Sequence, residues 1–276
     1  MRKPHVLIAC ALALAAIVWC QCGGQQGNDD KANDKQNGEN EASGPGWSEK
    51  DDVPSGTTDE NVKAEPAIKQ TGEDTYVLDG IELNTKTKTV QFEAVVNQTD
   101  QDLPLEVLVC TDYGKTHESL LRTTVSPTYL NVAFKLIGCH EGKPRAGAGD
   151  PNMPVGSALE IEVKWTDKDG KVKAVEPESW IWERKKNEPL ADTTWTYLGS
   201  MFHMNRFMAE ATGTIVNLYT DPSTLIEPPI DEIDDDEALG VYEKVVPPIG
   251  TKVELIFTLV PEKEEAEKPA DGGQPQ

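Results

Sequence analysis

The chain has 276 residues, with 48 acidic against 26 basic side chains and a formal net charge of −22 at pH 7. This balance argues against holding nucleic acid or an anionic lipid surface through charge, and leaves a basic partner or a cation as the easier company. An acidic surface also keeps an exported domain soluble, so charge alone assigns no ligand.

The first residues read as an export signal. Arg2 and Lys3 precede an apolar run of about 15 residues, Val6 to Cys20, after which the chain turns abruptly polar. The run falls short of the roughly 20 residues a helix needs to cross a bilayer. Cys20 and Cys22 stand where a bacterial lipoprotein carries its acylated cysteine, although Trp19 and Gln21 are larger than the small residue expected there. Cys10, in "LIAC", has suitable neighbours but too short an apolar stretch ahead of it. Residues 1–22 are therefore expected to be a lipoprotein-type signal lipidated at Cys20 or Cys22, with an ordinary cleaved signal or an uncleaved anchor as alternatives. Either lipid-anchored form would put the rest of the chain in the bacterial cell envelope, outside the cytoplasm. Residues 23–73 hold few large apolar side chains and cannot bury enough surface to offset their ordering entropy, so they read as a disordered tether. The tail, residues 261–276, reads as a disordered acidic counterpart. Residues 74–260 remain as a single domain, long enough for a real core.

Alternating apolar positions predict three strands in that domain: "TVQFEAVVN" (Val90, Phe92, Ala94, Val96), "ALEIEVKWT" (Leu159, Ile161, Val163, Trp165) and "KVELIFTLV" (Val253, Leu255, Phe257, Leu259). Weaker patterns mark Tyr76 to Asn84, Leu105 to Cys110, Lys171 to Glu176, Trp195 to Phe202 and Thr214 to Thr220. One helix stands out. Ser126 suits an N-cap, Pro127 the first helical position, and Leu130, Ala133, Phe134 and Ile137 form an apolar stripe before Gly138. The expected architecture is α+β: a mostly antiparallel β-sheet with one main helix packed on it, flanked by the disordered tether and tail.

The stretch "CTDYGKTHES" gathers a thiol, an imidazole and carboxylates around Gly114. Read as a tight hairpin turn, it needs φ > 0 at Gly114 and sets Cys110 opposite His117 across two antiparallel strands. Cys139, followed by His140, comes just after the helix stop. Several readings stay open for these four side chains. Cys110 and Cys139 can form a disulfide closing a loop of about 28 residues, worth roughly 3 to 4 kcal/mol. They can instead be unrelated, with Cys110 a small buried hydrophobe. Cys110, His117, Cys139 and His140 can also hold copper or zinc, although their spacing matches no established ligand pattern. Last, Cys110 can act as a nucleophile with His117 as base and Glu118 as its orienter, a triad weakened because Glu118 would point to the opposite face of a strand.

"DKDG" (Asp167 to Gly170) is expected to be a hairpin turn, and "TDPSTLIE" a strand end feeding a short helix capped by Asp221 or Ser223. Trp180, Trp182, Trp195 and Tyr197 are expected to fill a core rather than line a groove, and His203 to sit exposed at a hairpin end. "DEIDDDE" is the densest run of negative charge. Asp231, Asp234, Asp235 and Asp236 could offer hard oxygen ligands to Ca²⁺, but the EF-hand order is absent and a solvated acidic loop is the simpler reading.

Four segments, "CTDYGKTHESLL", "SPTYLNVAFKLIG", "WTYLGSMF" with "FMAEATGTIVNLYTDPSTLIEPP", and "VPPIGTKVELIFTL", resemble the YdjY-like domain family of bacterial envelope proteins. The resemblance spans about residues 75 to 260. It implies an envelope setting but no reaction and no catalytic residues, since the family has none assigned. Some members are described as ferredoxin-like or as associated with redox proteins; this chain has no C-x2-C-x2-C run to hold an iron–sulfur cluster. There is also no Gly-rich phosphate loop, no G-x-S-x-G elbow and no H-E-x-x-H. The expectation is therefore a binding or accessory module with an envelope protein or ligand as partner, cofactor unknown and enzymatic activity not indicated. The alternatives are a metal- or redox-linked accessory protein and an unrecognised hydrolase.

Overall fold

The computed structural model of the protein describes residues 67–147, 150–231 and 235–261. The expected signal, most of the tether and nearly all of the tail lie outside the described residues. Strand pairing begins at β1 (Lys69–Gln70), a little ahead of the expected boundary at residue 74.

Tyr76 to Asn84, expected as one strand, is a hairpin of β2 (Thr75–Leu78) and β3 (Ile81–Asn84). Asp79 and Gly80 both take positive φ at its turn, the geometry a two-residue hairpin needs to match strand twist. The three alternating patterns are strands β4 (Thr89–Val96), β7 (Ser157–Thr166) and β17 (Lys252–Leu259). Between and after β4 and β7 come β5 (Val107–Thr111), β6 (Ser119–Thr123), β8 (Val172–Val175), β9 (Ile181–Glu183), β10 (Glu188–Pro189) and β11 (Trp195–Tyr197). Then follow the hairpin β12 (Phe202–His203) and β13 (Arg206–Phe207), and β14 (Thr214–Asn217), β15 (Ile226–Glu227) and β16 (Leu239–Val241). "DKDG" is the hairpin turn between β7 and β8, with Asp167 Oδ1 accepting from the N–H groups of Asp169 and Lys171 at 2.9 Å each.

Strand order β4-β17-β7-β11-β15-β14-β5-β6 returns to β4 through the pairs Val95↔Arg122 and Val96↔Leu121. Eight strands thus close into a barrel, and the expected α+β sheet with one main helix packed on it is overturned. The fold is mostly β. Closure is possible because two long strands change partners midway. β4 pairs β3 through Gln91, Val90 and Thr89 and β6 through its C-terminal end, while β7 pairs β11 at one end and β8 at the other. Each change turns the sheet, and closing it leaves no exposed barrel edge. β1–β3 and β8 branch off the wall, and β10, β9 and β16 form a separate small sheet.

Helix α1 (Pro127–Ile137) forms where its caps predict. Ser126 Oγ accepts from Tyr129 N at 3.4 Å, and Gly138, at φ 104°, ends the run. The helix lies against β3 and β4 and buries Leu130, Ala133, Phe134 and Ile137. Phe134 reaches Phe257 of β17 and Tyr197 of β11, with ring centroids 5.4 and 5.3 Å apart, so α1 contributes to the barrel core rather than covering a flat sheet. Burying side chains of this size is worth about 1.5–3 kcal/mol each. Phe92 stacks on Phe257 at 5.6 Å.

Candidate functional site

The "DYGK" turn does not make a hairpin. β5 and β6 pair in parallel, with Cys110 in register with Arg122, and seven residues, 112–118, carry the chain back between them. His117 lies in a short 3-10 turn, Thr116–Glu118, on the surface. The expected opposition of Cys110 and His117 is therefore wrong, and so is the expected positive φ at Gly114, which is absent from the positive-φ residues. Glycine is required there for another reason. A Cβ on Gly114 would sit 2.8 Å from the Gly213 carbonyl oxygen and 3.0 Å from Cys110 Cβ. Gly213, at φ 71°, faces it, and a Cβ there would collide with Thr111 Oγ1. Two loops distant in sequence thus pack backbone on backbone, joined by the Thr111 N–H donating to Gly213 O at 2.8 Å.

This contact delivers Glu210, on the short helix α2 (Met208–Thr212), to the N-terminus of α1. Its Oε2 accepts from Ser126 Oγ at 2.7 Å, Thr128 N at 3.0 Å and Thr128 Oγ1 at 2.9 Å, and its Oε1 accepts from the Tyr113 hydroxyl at 3.0 Å. Burial alone would raise this carboxyl. The donors, Ser126 first, outweigh burial and hold it below the ordinary glutamate value. Burial and the adjacent Glu210 push the Tyr113 phenol up to about 12. A carboxylate at a helix N-terminus is also favoured by the helix dipole. With four donors bonded, Glu210 clamps α2 to the 112–118 loop and to the N-terminus of α1, and little lone-pair capacity remains for taking a proton from a substrate.

The structure does not bring the four cysteine and histidine side chains together. Cys110 lies fully inside the wall, and burial raises its thiol, only partly offset by a bond to Ser119. Cys139 is buried after α1, and desolvation pushes it up to about 12. Both are free, buried thiols rather than a disulfide, and burial disfavours the thiolate at each. His117 is 75% exposed and lies 3.3 Å from Glu118, without Cys110 beside it. His140 is exposed, its backbone N–H held by Ser157 Oγ. Among the described residues no three His, Cys, Asp or Glu side chains converge as a metal-holding group.

Of the acidic run, Asp234 lies outside the described residues. Asp231 and Asp236 are exposed. Asp235 pairs with Lys185 at 2.7 Å, a bond that lowers its carboxyl pKa. Cys20 and Cys22 lie outside the described residues. "TDPSTLIE" forms no helix: Asp221 Oδ1 accepts from Ser223 N at 2.8 Å in a turn that leads into β15. Trp180, Trp195 and Tyr197 are buried, as expected, and Trp182 is partly so. His203 is exposed on the β12–β13 hairpin, also as expected. That hairpin carries what the sequence pattern did not flag: Phe202 is 71% and Met204 83% exposed, beside the exposed Met201. Glu210 was missed too. Its only signal is a lone carboxylate in the otherwise small and apolar "FMAEATG".

Among the described residues no helix is long and apolar enough to cross a membrane. No curated protein and no solved structure matches this chain. The family model described as the YdjY domain matches residues 81–258, which takes in the barrel up to the last residue of β17. The chain belongs to the YdjY domain family.

Proposed function

We propose that this YdjY-domain protein is a lipid-anchored envelope module that acts by contact with another envelope protein rather than by catalysing a reaction. Cys20 or Cys22 would carry the lipid, and residues 23–73 would give the barrel reach from the membrane. The observation that supports contact is the β12–β13 hairpin. It forms its own two-stranded sheet and presents Met201, Phe202 and Met204 to solvent. Exposed apolar side chains cost free energy in a free domain and gain it when a partner covers them. The hairpin is also held in place. Met208 N donates to Met201 O at 2.9 Å, Ala209 N donates to Ser200 Oγ at 3.0 Å, and α2 behind it is clamped through Glu210. Such preorganisation lowers the ordering cost of binding. Cys110 and Cys139 are buried and Glu210 is bonded to four donors, so none of the three is presented to a substrate, which supports the same reading.

Two measurements test it. Metabolic labelling with a fatty acid should mark the wild type and not a Cys20→Ser, Cys22→Ser double variant; an unlabelled wild type removes the anchor. A photo-crosslinking residue at position 202 or 204, irradiated in whole cells, should trap one protein of constant mass. The same residue at Asp169, on the β7–β8 turn, should not trap it. Equal trapping from all three positions would remove the hairpin as the contact.

A further inference from the structure

The β12–β13 hairpin concentrates sulfur. Three of the chain's five methionines, Met201, Met204 and Met208, stand within eight residues, with His203 among them. Strand register sorts these side chains. Phe202 pairs with Phe207 and His203 with Arg206, and the Met208 N–H, donating to Met201 O at 2.9 Å, carries the pairing one step further, to Met201 and Met208. Successive residues of a strand face opposite ways, so Met201 and His203 share one face with Met208 and Arg206. Phe202 and Phe207 take the other, where their rings meet with centroids 5.3 Å apart.

One face of the hairpin therefore offers two thioether sulfurs and an imidazole. Directly opposed residues have Cβ atoms about 4.5–5.5 Å apart, and alternate residues lie about 7 Å apart along a strand. The methionine side chain is unbranched and flexible, so both sulfurs can swing to a point beside the His203 ring. The face is open to water: Met201 and His203 are exposed and Met208 is half-buried. Its backbone is fixed. Ser200 Oγ accepts from Ala209 N at 3.0 Å and donates to Ser223 O at 2.5 Å, which ties both ends of the hairpin to the turn leading into β15.

We propose that this face binds a single Cu(I) ion through Met201 Sδ, Met208 Sδ and a ring nitrogen of His203. Thioether sulfur is a soft donor that suits Cu(I), and imidazole binds copper as well. A thioether has no proton to lose, so both sulfurs are donors as they stand, in contrast to the buried thiols of Cys110 and Cys139. The rest of the hairpin argues against a hard dication. No carboxylate lies within residues 201–208, and the exposed Arg206 guanidinium repels a dication more strongly than a monocation. Met204 belongs to the turn, outside the paired positions, and is not assigned as a ligand. This inference does not rest on the partner contact, which Phe202 can make from the opposite face.

NMR of the full chain in detergent, ¹³C-labelled at its methionine methyls, tests it, with Cys10, Cys20 and Cys22 replaced by serine so that their thiols do not compete. Cu(I), kept reduced with ascorbate, is titrated in without oxygen. The Met201 and Met208 methyls should shift together and saturate at one equivalent, while Met153, away from the hairpin, stays in place. His203→Gln should raise the copper needed for half-saturation about tenfold or more, and His140→Gln should leave it unchanged. Zn²⁺ should not move the methyls. Unshifted Met201 and Met208 methyls would overturn the proposal without touching the crosslinking result. So would a parallel shift of Met153, which means general thioether affinity, an unchanged midpoint in His203→Gln, or the same shifts with Zn²⁺, which means a hairpin rearrangement rather than sulfur ligation.

Discussion

Glu210 and Glu178 both leave the open surface, but Glu210 is only partly buried and meets four donors, while Glu178 is 2% exposed and its main bond is the Trp195 indole N–H. The difference shows in the direction of each pKa: Glu210 is held below the ordinary value, Glu178 above it. A saturated carboxylate is part of the scaffold. One whose burial outweighs its donors lowers the stability of the folded protein when ionised. Three of the segments that resemble a YdjY domain, those holding Tyr113, Ser126 and Glu210, meet at the first kind, beside the Gly114–Gly213 contact. Glu178 lies elsewhere, in the turn Pro177–Trp180 that follows β8.

The largest effect expected from breaking this contrast is at the clamp. Glu210→Ala strands the Ser126, Thr128 and Tyr113 donors and removes a charge from the α1 N-terminus, and should cost about 2–4 kcal/mol in urea unfolding at pH 7. The pH dependence has a definite sign. Because the folded-state pKa of Glu210 is depressed, its contribution is present above the ordinary value of 4.5 and is lost as pH falls through the folded-state pKa. The deficit of Glu210→Gln relative to the wild type should therefore shrink on going from pH 7 to pH 3. A deficit that stays constant or grows would mean the donors do not favour the ionised form.

Glu178→Gln should do the reverse, by a smaller amount. The folded-state pKa of Glu178 is raised, so the wild type suffers no penalty below 4.5 and its full penalty above the folded-state pKa. The variant should be slightly more stable than the wild type at pH 7, with the gain gone in acid. Destabilisation at pH 7 would show that the ionised carboxylate is well solvated.

Features carried by local chemistry could be read from the sequence. The ends of α1 follow from Ser126, Pro127 and Gly138, and β4, β7 and β17 show their buried faces by alternation because their outer faces meet water. β5 and β14 are buried on both faces, so Val107 to Thr111 and Thr214 to Asn217 give no alternation that orients them. Closure depends on Val95 and Val96 meeting Arg122 and Leu121, a long-range pairing that no local pattern encodes. The "DYGK" turn misled for a related reason: a glycine needed for close approach to Gly213 looks the same in sequence as one needed for positive φ. Glu178 was hidden among many glutamates, and only the buried Trp195 indole, which needs an acceptor, hints at a carboxylate beneath the surface.

The contrast between the two glutamates can be measured in one experiment, a ¹³C NMR titration of the glutamate side-chain carboxyls. Glu178 should titrate above the ordinary value of 4.5 and Glu210 below it. A Glu178 midpoint at or below 4.5, or a Glu210 midpoint above it, would contradict the account of one carboxylate held ionised by its donors and the other disfavoured by burial.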